Sequence, residues 1–214
     1  MTRYVIWGAG GHAREVNLLC EVLGYPVLGF LDERPEEKGN FVDGKPVLGD
    51  LTDILNLRQD VIIICAGVGD PTLRQKFVSK SRELGFSISE SLIHPSVSLP
   101  NTSSIGEGCV IFAGTQITTN VHIGDFVVIN LGCTLSHDSM IDDFATISPG
   151  VNICGNVHIG EGAYIGVGTS IREKTEIGAW SMIGGGSFVR TNVPSRCLYA
   201  GVPARLIKSD YGLK

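Results

Sequence analysis

The chain has 214 residues, 43% of them hydrophobic and 18% charged, with a formal net charge of −5. That length buries a core and that composition is too apolar for a disordered chain. No block of like charge marks a nucleic-acid partner, and no run approaches the roughly 18 apolar residues of a membrane span.

The opening residues, MTRYVIWGAGGHA, lack the apolar core and cleavage site of a signal peptide. Tyr4-Val5-Ile6-Trp7 predicts a buried strand, and a helical stretch to about Leu23 follows the turn Gly8-Ala9-Gly10-Gly11-His12-Ala13. Val27–Leu31 predicts a second strand ending at Asp32-Glu33, and Val61–Ile64 a third ending in Cys65-Ala66-Gly67-Val68-Gly69. Residues 71–84 predict a helix. This βαβ series implies a small Rossmann-like parallel sheet with ligands at the carboxyl ends of its strands.

Gly8-x-Gly10-x-x-Ala13, with Asp32 about twenty residues on, fits the dinucleotide fingerprint. Glycine lets backbone N–H groups and a helix N-terminus approach a diphosphate, and the acid suits ribose hydroxyls. Read alone, the motif suggests an NAD-dependent dehydrogenase. The unit holds about half the strands of a full dinucleotide fold, which suits one nucleoside diphosphate better. Arg14 and Arg74 are candidates for phosphate contact or plain surface residues.

Beyond residue 90 the pattern changes. Stepping by six from Ile105 to Val189 lands on an aliphatic residue every time. The residue four places after each, from Cys109 to Val193, is always small or β-branched. Six is a multiple of the strand period of two, so short extended segments can keep one face inward. β-Branched isoleucine suits such strands, and a small residue suits a tight corner. Glycine often follows the aliphatic residue (Gly106, Gly124, Gly160, Gly166), which permits unusual backbone angles or close approach. Hexapeptide repeats of this kind predict a parallel β-helix. Residues 1–90 are therefore expected to form the nucleotide-binding domain and residues 91–214 the β-helix with a C-terminal tail. The six cysteines include no CxxC pair, which predicts free, mostly buried thiols in a reducing cytoplasm.

Several motifs together resemble one bacterial family, the sugar acyltransferases of the sialic acid O-acetyltransferase type. They are Gly8-Ala9-Gly10-Gly11-His12, Phe30-Leu31-Asp32-Glu33, Asn130 seven residues before Ser136-His137-Asp138, Gly155-Asn156, Ile183-Gly184-Gly185-Gly186 and Gly201-Val202-Pro203-Ala204. The resemblance covers nearly the whole chain. It implies left-handed coiling with three hexapeptides per coil, and a homotrimer with active sites between subunits. It also implies acetyl-CoA as co-substrate and a nucleotide-linked sugar, such as a 4-amino-4,6-dideoxy sugar of a surface glycan, as acceptor. No metal is expected.

The implied roles fall on particular residues. His137 is the general base, removing a proton from an attacking amine or hydroxyl, and Asp138 orients it if a bend brings the two together. The acceptor falls to Gly10, Gly11, His12, Asp32, Glu33, Gly67 and Asn130; a turn role for His12 and internal packing for Asn130 stay open. Acetyl-CoA falls to Gly155, whose N–H suits an oxyanion, and to Gly185, Gly201 and Arg205. Thr146 departs from the family: the sugar N-acetyltransferases carry a second, cofactor-touching histidine there, so the contact made by Thr146 must differ.

Three rival readings remain. O-Acetylation of a sugar such as sialic acid would use the same base. A nucleotide-binding solenoid without enzymatic activity would need no base. A zinc site of the gamma-class carbonic anhydrase kind would use His122 and His158, but these are two coils apart, about 9.6 Å, too far for one ion within a subunit.

Overall fold

The computed structural model describes residues 3–212. The N-terminal unit is a four-stranded parallel sheet built from β1 (Arg3–Trp7), β2 (Val27–Leu31), β3 (Val61–Ile64) and β4 (Ser87–Ile88), in the order β2-β1-β3-β4. Val5, Ile6 and Trp7 are all fully buried, as expected of a strand covered on both faces. Helix α1 (Gly11–Leu23) starts without a side-chain cap at Gly10 and stops at Gly24, whose φ of 75° closes the helix. Helix α2 (Pro71–Glu83) is capped by the Asp70 carboxylate, which accepts from the Leu73 N–H, and has proline in its first turn. Periodicity assigns no element to the stretch between β2 and β3. It forms a small hairpin, Phe41–Val42 with Lys45–Pro46, and a short helical run, Leu51–Leu57.

From Ser104–Ile105 to Phe188–Val189 a two-residue strand recurs every six residues. Strands eighteen residues apart pair in parallel, as His122 does with Met140 and Met140 with His158. The result is a triangular β-helix with three faces, here called the Ser104, Val110 and Gln116 faces after their first strands. The aliphatic column fills the interior from Ile111 to Val189, together with the small column. Every sixth residue from Gly108 to Gly186 has a positive φ, including Asn120, Phe126, Asp138 and Trp180. This left-handed residue turns each corner, and the small residue after it tucks inside. The glycines that follow the aliphatic column serve close approach alone. Their φ is ordinary, but a Cβ on Gly124 or Gly160 would press on the next coil's backbone.

The N-terminal unit covers the Val110 face. Val16, Leu19 and Cys20 of α1 pack with Phe30 on Leu92, Val110, Phe112 and Val128. Among the described residues no helix is long and apolar enough to cross a membrane. Burial pushes the Cys20 and Cys65 thiols up to about 12 and those of Cys109 and Cys133 up to about 11, so these four are packing residues.

Candidate active site

The carboxyl ends of β1, β2 and β3 frame a cleft of about 500 Å³. Gly10, Gly11, His12, Asp32, Glu33 and Gly67 all line it. Its glycines do two different things. A Cβ on Gly8 or Gly67 would strike the other strand's backbone, so these two let the strand ends meet. Gly10 and Gly11 face open space, which leaves the uncapped start of α1 open to an anion. Trp7 stacks on Phe77 beneath, with centroids 4.3 Å apart.

The acids of the cleft are already engaged. Both oxygens of Asp32 accept from Arg34, at 3.0 Å from Nε and 2.8 Å from Nη2, and the Arg34 side chain holds the Asp32 carboxyl below its usual range. Glu33 pairs with Lys76 at 2.6 Å and Lys80 at 3.5 Å. The cleft therefore presents Arg34 beside Asp32, not a bare carboxylate. Sequence reading missed Arg34, although a cation two residues after the fingerprint acid is the visible signal. His12 meets Phe112 of the β-helix edge-on at 5.6 Å, and its Nε2 has no partner among the described residues. Burial lowers the His12 pKa.

Arg74 corrects an expectation. It is neither on the surface nor open to a phosphate, but fully buried. Its Nη1 donates to the Val68 carbonyl at 3.0 Å. Its Nε donates to the Phe126 carbonyl at 2.7 Å, and its Nη2 to Phe144 at 2.5 Å and Ala145 at 3.1 Å. Phe126 and Phe144 are left-handed corner residues. Arg74 thus pins the cleft loop to two coils of the β-helix. Thr146 shares that contact, accepting from Arg74 Nη2 at 2.9 Å and donating to the Gly69 carbonyl at 2.7 Å. Arg14 is exposed and paired with Asp43.

His137 stands elsewhere, on the corner between the Gln116 face (Thr134–Leu135) and the Ser104 face (Met140–Ile141). The bend that Asp138 requires is the corner itself, where φ is 59°. His137 Nδ1 lies 2.7 Å from Asp138 Oδ2. A carboxylate there holds the proton on Nδ1 and leaves Nε2 free to accept one. One coil on, Gly155 packs against the ring, and any Cβ on it would collide with Nε2. The Gly155 N–H has no acceptor among the described residues. The other Asp138 oxygen accepts from Asn120 Nδ2 at 2.7 Å, a residue that sequence reading also missed. Stepping back eighteen residues from Asp138 finds it.

The remaining candidates occupy a third place. Asn130 is buried at a different corner, its amide donating to the Ile147 carbonyl at 3.1 Å. Gly185 sits on that same corner three coils further along, against Val167. Gly201 and Arg205 lie nearby on the terminal hairpin of Leu198–Gly201 with Ala204–Lys208. His122 and His158 sit on one face, bonded to Ser104 and Asp142 respectively. Among the described residues no cluster of His, Cys, Asp and Glu is placed to hold a metal ion.

Comparison with known proteins matches residues 3–81 to the PglD N-terminal domain and residues 156–191 to the bacterial transferase hexapeptide (six repeats). No curated protein sequence matches the chain. Among solved structures, PerB from Caulobacter crescentus, in complex with CoA and GDP-perosamine, is 32% identical with a TM-score of 0.88, over 97% of this chain and 98% of that one. The acetyltransferase domain of PglB from Neisseria gonorrhoeae, in complex with acetyl coenzyme A, is 32% identical with a TM-score of 0.85, over 97% and 100%. WeeI from Acinetobacter baumannii is 27% identical with a TM-score of 0.87, over 97% and 100%. A nucleotide-type cleft joined to a hexapeptide β-helix, shared over the full length of such relatives, places this chain in the family of sugar acyltransferases of the hexapeptide-repeat superfamily.

Proposed function

We propose that the chain transfers the acetyl group of acetyl-CoA to the amine of a nucleotide-linked 4-amino-4,6-dideoxy sugar, in the cytoplasm, for a bacterial surface glycan. The observation that carries the reading is the His137 imidazole, held by Asp138 through Nδ1 with Nε2 turned toward Gly155. The relatives bound to CoA and GDP-perosamine, or to acetyl-CoA, support the two substrates.

The chemistry follows from those atoms. The sugar amine attacks the thioester carbonyl carbon, and a C–N bond forms. His137 Nε2 takes the amine proton, and the Asp138 carboxylate stabilises the imidazolium. The Gly155 N–H donates to the oxyanion that develops on the carbonyl oxygen. When the C–S bond breaks, His137 returns its proton to the departing sulfur. No covalent enzyme intermediate is needed, and no cysteine takes part.

The geometry favours a homotrimer. Within one chain the cleft lies over the Val110 face, while the His137 corner is the one corner that does not border that face. A sugar held by one chain's cleft meets the base of a neighbour. Likewise acetyl-CoA reaches both Gly155 and the Gly185–Arg205 region by lying between two subunits.

The test is thiol release from acetyl-CoA with GDP-, UDP-, dTDP- and CMP-linked 4-amino sugars and their 4-hydroxy counterparts, for wild type and His137→Ala. Turnover on one amino sugar, lowered about 10²–10⁴-fold in the variant, supports the reading. Turnover on hydroxyl sugars alone replaces it with O-acetylation, and turnover unchanged in the variant removes His137 as the base.

A further inference from the structure

The His137–Asp138 pair continues into the preceding coil. Asp138 has both oxygens assigned, Oδ2 to His137 Nδ1 and Oδ1 to Asn120 Nδ2, each at 2.7 Å. Asn120 is fixed in turn: its backbone N–H donates to Thr102 Oγ1 at 3.2 Å, and Thr102 Oγ1 shares a 2.9 Å bond with Thr119 Oγ1. The residues Thr102, Asn120 and Asp138 form a column along one corner. Its last member reaches sideways to the histidine.

An asparagine at a left-handed corner needs no special reason, because asparagine tolerates that backbone. Asn156, one coil beyond Asp138 with φ of 57°, illustrates this: its side chain makes no hydrogen bond among the described residues. Asn120 differs by aiming its amide at a carboxylate. That matters because the last torsion of an aspartate is broad and only roughly two-fold. A carboxylate held by one oxygen alone can swing its plane, and an exposed imidazole would swing with it. With the amide on Oδ1, the plane is set and Oδ2 points at Nδ1. The Asp138 carboxyl is also held below its usual range, first by Asn120 and then by His137, so it stays ionised and acceptor-only.

We infer that Asn120 is a positioning residue of the transfer reaction, fixing the Asp138 carboxylate so that His137 keeps its proton on Nδ1 and offers Nε2 as the base. The inference rests on the acetyl-transfer reading for its kinetic consequence but not for its structural one.

Asn120→Gly is the test. Glycine occupies the equivalent left-handed position of other corners at Gly108, Gly132 and Gly150 with φ of 63°, 66° and 68°, so the substitution removes the amide without straining the turn. The expected result is a kcat about tenfold lower, the loss of one hydrogen bond to a charged group. KM for both substrates should stay within about twofold, since neither substrate is bound by this amide. Nitrogen NMR of the substrate-free enzyme should show His137 with Nδ1 protonated in wild type and divided between tautomers in the variant. In an Asp138→Gly background, Asn120→Gly should change nothing further. A wild-type kcat, a wild-type tautomer, or an effect that multiplies with that of Asp138→Gly overturns the inference. The tautomer is read without substrates. A tautomer change in a protein that acetylates nothing would therefore uphold the positioning role and sink the functional reading alone.

Discussion

Gly155 lies one coil beyond His137 and presents a bare Cα to the imidazole, so that any side chain there would strike Nε2. The stacking of the β-helix sets this relationship. Residues eighteen apart share a corner, and the backbone of one coil becomes the wall of the site on the next.

Gly155→Ala is expected to lower kcat about 10²-fold, because a methyl group must push the His137 imidazole, the proposed base, out of line by about 1 Å. The φ of Gly155 is ordinary, so the corner itself tolerates alanine. Steady-state kinetics beside a melting curve checks this. A kcat within twofold of wild type would show that the ring moves aside freely and that Nε2 is not used where it stands.

Gly10→Val fills the cleft without a backbone clash, since nothing lies within 4 Å of a Cβ there. Alone it should lose the nucleotide-linked substrate, as His137→Ala loses the base. If each site of the proposed homotrimer takes its cleft from one subunit and His137 from another, mixed trimers assembled from equal amounts of the two variants should recover about a quarter of wild-type activity. No recovery after confirmed subunit exchange would place both functions within one chain.

Arg74→Met should destabilise the protein by about 2–4 kcal/mol, the cost of leaving buried carbonyls unpaired. The Phe126 and Phe144 carbonyls accept from no other donor among the described residues. Burial lowers Arg74 to about 10, still far above neutrality, so the guanidinium is charged when it makes these bonds. Urea unfolding measures the loss, and an unchanged midpoint would mean that the domain contact carries no stability.

His12 makes a pH-dependent contribution. Burial sets its folded pKa below the ordinary 6.5. Above that ordinary value both states are neutral and stability is full. As pH falls below it, the unfolded chain binds the proton first, and stability drops toward the lowered folded value. Between about pH 7 and about pH 5 the urea midpoint should therefore fall less in His12→Asn than in wild type. Equal slopes would show that His12 protonates as easily folded as unfolded.

Much of the architecture was legible in the chain. The six-residue columns from Ile105 to Val189 specify stacked two-residue strands, because only that geometry buries both columns at once. The runs ending at Trp7, Leu31 and Ile64 specify a parallel sheet whose strand ends converge on glycines, and the cleft stands there. Less local features were not legible. Alternation along a strand puts His137 and Asp138 on opposite faces, and only the left-handed corner at Asp138 turns both outward together. Arg74 reads as a surface residue among the polar neighbours of α2. Its burial arises from corner carbonyls of Phe126 and Phe144, more than fifty residues away in the chain.

The sequence by itself determined the repeat, the two-part organisation and the chemical types available at each corner, since these depend on periodicity and local backbone preference. Tertiary structure alone decided which of those residues meet. It buried Arg74 and Asn130, stacked Asn120 beneath Asp138, and set the cleft and His137 on separate sides of one β-helix. Those outcomes depend on which face each coil turns toward its neighbours, and contacts eighteen or more residues apart fix that orientation.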